Sequence, residues 1–281
     1  MLGFLKRLVG GTDAAPGEAG SGRKPRFDAP LRIDRLTYAI GDVHGRLDLM
    51  EALLARIAAD MQDAPPESLG DEGPPRIVFM GDYVDRGEQS AQVLARLKSL
   101  LAEGHEGAEV AALRGNHEDM MLEFIDAPEE GGPRWLRNGG FQTMASFGVG
   151  GITPTSEGGE LIEPAARLAE AAAGVTPMMR DLPAWLGHGS VWFTHAGLDP
   201  ELPPDLQSER TLIWGTPRFF QFARTDGKWA VYGHYIVDEA HAAQGRVAVD
   251  TGAYASGVLS AARIAPGAQD DAEADLSFLT T

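Results

Sequence analysis

Gly41-Asp42-Val43-His44-Gly45, Gly81-Asp82-Tyr83-Val84-Asp85-Arg86-Gly87 and Gly115-Asn116-His117-Glu118 each follow a short apolar run. Those runs, Leu36 to Ile40, Ile77 to Met80 and Val110 to Leu113, read as buried strands. Each loop leads into a stretch with helical spacing of apolar residues, so the chain contains three strand–loop–helix units. In open α/β sheets ligands bind at the carboxyl ends of the strands. The loops therefore present carboxylate, imidazole and amide groups from one sheet edge. Hard oxygen and borderline nitrogen donors without thiolate suit a divalent transition metal rather than a nucleotide cradle.

Working outward, the first helix is marked by Leu47, Leu49, Met50, Leu53, Leu54 and Ile57 and should end before Pro65. Asp60 to Pro75 reads as a solvated connector. The second helix carries Ala91, Val93, Leu94, Leu97, Leu100 and Leu101 and should stop at Gly104. A Met- and Leu-rich helix starts near His117, with Met120, Met121, Leu122 and Phe124 as core. Asp126 to Pro183 reads as a mostly helical cap beside the site, with one helix over Ile162 to Arg180. Strands return after Gly189. Val191 to Thr194 leads into His195, Trp229 to Tyr232 into Gly233-His234, and Val247 to Val249 into Asp250, while Val258 to Ile264 closes the core. Strands clustered without long helices between them imply a second sheet packed on the first.

The expected organisation is a flexible leader over 1–32, a core domain over 33–265 that includes the 126–183 cap, and a loose tail over 266–281. The apolar start, Met1 to Val9, contains Lys6 and Arg7 and lacks a signal-peptide core. It reads as a frayed or locally docked terminus, or as a short amphipathic segment.

The 281 residues allow one large domain or two small ones. Lys and Arg number 24 against 41 Asp and Glu, a formal charge of −17, which disfavours nucleic acid as a partner. The absence of cysteine excludes disulfides and thiolate ligands and fits a reducing cytoplasm. No apolar run is long enough for a membrane-spanning helix.

The three loops, in order, resemble the phosphoprotein phosphatase branch of the dinuclear metallophosphoesterases, over roughly Thr37 to Ile264. The Trp135-Leu-Arg-Asn-Gly-Gly140 stretch looks like its bacterial and phage-type serine/threonine phosphatases. The resemblance implies a four-layer αββα sandwich of two mixed sheets with a helical cap insertion. It implies Asp42 and His44 on one metal, Asn116, His195 and His234 on a second, and Asp82 bridging them. Manganese is the expected ion, with iron, zinc, cobalt and nickel as alternatives. A water bridging the metals would attack phosphorus in line. The family gives His117 the general-acid role, with Asp85 as its partner. Arg86 and Asn116 would contact phosphate, and Arg218 in Ile213-Trp-Gly-Thr-Pro-Arg218 is the candidate for a second clamp. Arg114 reads as pairing with a carboxylate, and Glu118 and Asp250 as groups that orient the ligands. The expected activity is hydrolysis of phosphoserine or phosphothreonine in proteins. A symmetrical diadenosine tetraphosphate-type hydrolase is the alternative, and a phosphate-binding scaffold a third.

Overall fold

The structure is a computed structural model that describes residues 27–281 apart from 71, 154 and 268–271. Residues 1–26 of the expected leader, with its apolar start, lie outside the described residues. In β1 (Thr37–Ile40), Tyr38 and Ile40 face one way and Ala39 the other. β2 (Arg76–Phe79) repeats the alternation, Ile77 and Phe79 against Val78, as a strand buried on both faces must.

The first face of these strands packs on α1 (Leu47–Asp63), α2 (Ser90–Glu103) and α3 (Asn116–Asp126). Their inward stripes are Met50, Leu53, Leu54 and Ile57, then Val93, Leu94, Leu97 and Leu100, then Met120, Met121 and Phe124. Phe79 is fully buried among them, and its truncation to Ala would cost about 3–5 kcal/mol. α1 stops where Ala64 turns extended before Pro65.

The other face meets a second sheet. Ala39, Val78 and Met80 pack with Val191 and Phe193 of β5 (Val191–Thr194), Val231 of β6 (Trp229–Tyr232) and Val247 of β8 (Arg246–Ala248). The far side of that sheet, Trp192, Ala230, Tyr232 and Ala248, packs on α8 (Glu209–Trp214) and α9 (Arg218–Gln221). Three cores separate four layers: helices, sheet, sheet, helices.

The first sheet has the order β10-β9-β1-β2-β3, with β3 at Glu109–Ala112, β9 at Ser260–Ala265 and β10 at Asp275–Thr280. β1, β2 and β3 are parallel, with Ile40 opposite Phe79 and Phe79 opposite Ala112, so their loops emerge level. The second sheet runs β4-β5-β6-β8-β7, with β4 at Trp185–His188 and β7 at His241–Ala243. Its parallel centre, Thr194 opposite Tyr232 and Tyr232 opposite Ala248, aligns the loops bearing His195, His234 and Asp250.

Several expectations need correction. The tail is not loose throughout: β10 pairs antiparallel with β9 over six residues, and Arg263 ties it through Asp275. The leader's last residues are packed. Leu31 is buried, the Phe27 ring meets Trp229 edge-on, and Arg32 N donates to Ser190 Oγ. β9 joins the first sheet, not the second, by pairing with β1. The single helix expected over Ile162 to Arg180 is two, α6 (Ile162–Ala171) and α7 (Thr176–Asp181), because the chain turns at Ala172–Val175 before Pro177. The remainder of the cap region is α4 (Pro128–Trp135), a wide turn over Leu136–Gly140, and α5 (Phe141–Ser146).

Candidate active site

Asp42 and His44 follow β1, Asp82, Asp85 and Arg86 follow β2, and Asn116 and His117 open α3. His195 follows β5 and His234 follows β6. Five of these side chains stand on left-handed backbone: His44 (φ 44°), Asp82 (53°), Asp85 (73°), Arg86 (68°) and His234 (62°). Left-handed non-glycine residues cost of order 1–3 kcal/mol each and persist only where surrounding structure holds them. At Asp82 and the residues that follow it, the holder is Glu118. Its Oε1 accepts from Tyr83 N (2.8 Å) and Val84 N (3.3 Å), and its Oε2 from Asp82 N (3.0 Å) and Gly115 N (2.9 Å). Burial raises this carboxyl to about 7.

Backbone carbonyls set two of the imidazoles. His44 Nδ1 donates to Val84 O and His195 Nδ1 to Met80 O, both at 2.8 Å, which leaves each Nε2 a lone pair facing the centre. Asp82 divides its carboxylate between them. Oδ1 lies 3.3 Å from His195 Nε2, and Oδ2 lies 3.6 Å from His44 Nε2. Donor atoms converge in two groups, His44 with Asp82 and His117, and Asp82 with His195 and His234; Asp82 belongs to both. Asn116 Oδ1 sits 3.0 Å from His195 Nε2 and 2.8 Å from His234 Nδ1. The Asp42 carboxylate accepts from His234 N at 3.0 Å.

These are acceptors facing acceptors, a set that fits cations. Burial, then Asp250, pushes Asp42 well above the carboxylate range. Against its burial, His195 is raised to about 10 by Asp82, and Asp82 is held well down by His195 and His117. Burial lowers His44 to about 3 and His234 to about 4. Arg86 already places a cation at the first group, with Nη1 3.1 Å from His44 Nε2 and Nη2 3.2 Å from His117 Nε2.

His117 differs in its support. Its Nδ1 lies 2.6 Å from Asp85 Oδ2, a carboxylate rather than a carbonyl. Asp85 also accepts from Trp135 Nε1 (2.9 Å) and Thr143 Oγ1 (2.7 Å), and its own N–H donates to Thr143 Oγ1 (2.8 Å) and Ser90 Oγ (3.1 Å). Against its burial, His117 is raised by Asp82 and Asp85. Gly139 O accepts from Arg86 N, and Gly139 itself is left-handed (φ 105°). Any Cβ there would lie 2.7 Å from that nitrogen.

Asp42, His44, Asp82, Asp85, Arg86, Asn116, His117, His195 and His234 are thus brought together. Arg218 is not. Its guanidinium pairs with Asp199 (3.0 Å) and Glu201 (2.5 Å), so the expected second clamp is a surface ion pair. Arg114 pairs with Asp119 and Glu209. Asp250 is buried behind Asp42 and accepts from Gly252 N. Sequence reading missed Trp135, Thr143, Ser90 and Tyr254, whose ring lies 4.7 Å beneath the Arg86 guanidinium. Trp135 heads the W-x-x-N-G-G stretch, the one available signal. A lone Thr, Ser or Tyr carries none.

Two mixed five-stranded sheets meeting at an edge of carboxylate, amide and imidazole donors define a phosphoester hydrolase of the α/β metallophosphoesterase class. The chain belongs to the calcineurin-like phosphoesterase family, whose model matches residues 36–237. That family is dinuclear and metal-dependent. The asymmetrical bis(5'-nucleosyl)-tetraphosphatase PrpE of Bacillus velezensis is 26% identical over 227 residues, 76% of this chain and 82% of the relative. Shewanella-like protein phosphatase 2 of Arabidopsis thaliana is 34% identical over 99 residues, 35% of this chain and 23% of its own length. A solved structure described as "a putative diadenosine tetraphosphatase" superposes with TM-score 0.55 at 17% identity, covering 90% of this chain and 98% of the other, a likeness of fold. Among the described residues no helix is long and apolar enough to cross a membrane.

Proposed function

We propose that Asp42 and His44 hold one divalent cation, Asn116, His195 and His234 a second, and that Asp82 serves both. The division of the Asp82 carboxylate, one oxygen toward His195 and the other toward His44, carries this reading. Bound there, the cations would supply charge neutralisation for the phosphoryl group and acidify the attacking water. Manganese is our choice among divalent ions for a donor set of oxygen and nitrogen without sulfur. We place the reaction in the cytoplasm.

Hydrolysis forms a bond from phosphorus to a water oxygen and breaks the bond to the leaving oxygen. That oxygen needs a proton, and His117 Nε2 is positioned to give it. Asp85 holds Nδ1–H and favours the charged ring; Trp135 and Thr143 hold Asp85. Arg86, now capping two imidazole nitrogens, would turn its planar fork to phosphate oxygens.

Two substrate readings follow. A phosphoserine or phosphothreonine protein phosphatase is the one drawn from the sequence. A dinucleoside polyphosphate hydrolase gains support from the Bacillus velezensis relative, which matches along most of both chains. The filled donor set speaks against a non-catalytic scaffold. Parallel assays of the metal-loaded protein on a phosphopeptide and on a dinucleoside tetraphosphate test the choice. Turnover of neither would overturn the hydrolase reading for this chain.

A further inference from the structure

Beside the donor cluster a cleft of about 520 Å³ opens between the helical insertion and α10 (Ala253–Ser256). Arg86 and Tyr254 form one wall, and Arg137, Asn138, Phe141 and Gln142 the other. Arg86 ties the cleft to the chemistry, because its guanidinium touches His117 Nε2 while its side chain lines the cleft. In an in-line displacement the group that protonates the leaving oxygen stands on the leaving-group side. If His117 is that group, the organic part of the substrate departs toward this cleft.

The lining says what it would take. Of the cap's arginines, Arg134 lies over the Trp214 ring at 3.9 Å, Arg167 pairs with Glu163 and Arg180 with Asp126. Among the described residues Arg137 has no ion pair or hydrogen bond, and it is exposed on the cleft wall. An unpaired guanidinium on a chain of formal charge −17 is a local exception to the surface field. Phe141, 38% exposed, offers a ring on the same wall. A volume of this size fits a small molecule, within the range of ordinary ligand pockets.

We propose that this cleft is the leaving-group subsite, and that Arg137 selects small substrates whose leaving group carries its own negative charge. The inference rests on the His117 assignment above.

The test uses two aryl esters that differ in that charge, phenyl phosphate and 3-carboxyphenyl phosphate. The readout is the ratio of their kcat/KM values, charged over uncharged. In Arg137→Ala the ratio should fall roughly 10-fold, the usual worth of one charge-assisted hydrogen bond. Arg137→Lys should keep most of it, and Arg137→Glu should lower it further. Arg167→Ala removes a cation from the same insertion but away from the cleft wall, and should leave the ratio unchanged. Inorganic tripolyphosphate, whose leaving group is charged without a ring, should also lose rate with Arg137→Ala. An unmoved ratio in Arg137→Ala, or an equal fall in Arg167→Ala, overturns the subsite while leaving the hydrolase reading intact. If the metal-loaded wild type hydrolyses neither ester, both readings fail.

Discussion

Trp135 Nε1 donates to the Asp85 carboxylate at 2.9 Å, so a side chain from the inserted helices takes part in orienting His117. Trp135→Phe removes the N–H and keeps a ring packed on Phe124, whose centroid lies 4.9 Å away. Turnover of an alkyl phosphate should fall roughly 10-fold, the cost of one hydrogen bond to a charged group. A nitrophenyl ester, whose anion leaves with little protonation, should lose less. The same loss on both esters would mean that Trp135 acts only through folding.

His117→Asn should retain both cations and lower turnover of alkyl phosphates by roughly 10²–10⁴-fold, the usual contribution of a positioned acid. The loss should shrink on the nitrophenyl ester. His195→Asn should instead empty a cation site and harm all substrates alike. Elemental analysis beside kcat decides the matter: cation loss from His117→Asn would make His117 a ligand, as its place beside His44 and Asp82 would permit.

Asp82→Asn should reduce cation content more than Asp42→Asn, because Asp82 is the one residue shared by both donor groups. Replacing one of its oxygens by an amide nitrogen weakens both sites at once. Two cations retained in Asp82→Asn would contradict the shared role.

Gly233→Ala is a test of spacing rather than chemistry. A Cβ at this position would lie 2.1 Å from Asp42 Oδ1, and the backbone there is not left-handed, so the contact alone makes the strain. Displacing Asp42 should weaken cation binding roughly 10–100-fold, as losses of orienting contacts do. Calorimetric titration with manganese measures it, and wild-type affinity would show that Asp42 stands outside the site.

Exhaustive chelation should abolish turnover, with manganese restoring it best. It should also lower Tm by roughly 5–10 °C, because the cations bind and stabilise only the folded chain. Full activity in protein shown to be free of metal would sink the dinuclear reading.

The first three ligand loops were legible because each joins a short, mostly apolar strand to an amphipathic helix, and because chemistry-bearing residues there come in unbroken runs. The strands missed are those whose pattern is set by neighbours. β7 is three exposed residues, and β4 and β10 are mostly half-exposed; they exist because β8, β5 and β9 offer them an unpaired edge. The assignment of β9 to the first sheet depends on its pairing with β1, which no local periodicity records. Arg218 misled for a similar reason. Its place after a Trp-Gly pair was visible, while the two acidic partners that hold it, Asp199 and Glu201, lie more than a helix away along the chain.

Every candidate ligand before residue 117 comes from the first sheet and every one after it from the second. A split of the gene between the cap and β4 would therefore give two fragments, each with part of a donor set. The first fragment would also lack β9 and β10, two of the five strands that complete its sheet. Neither piece should retain a cation alone. Mixed, they should recover affinity only as the two sheets dock across Ala39, Val78 and Val231. Cation uptake would then report reassembly of the halves, and this chain could serve as a complementation reporter whose signal is the metal itself.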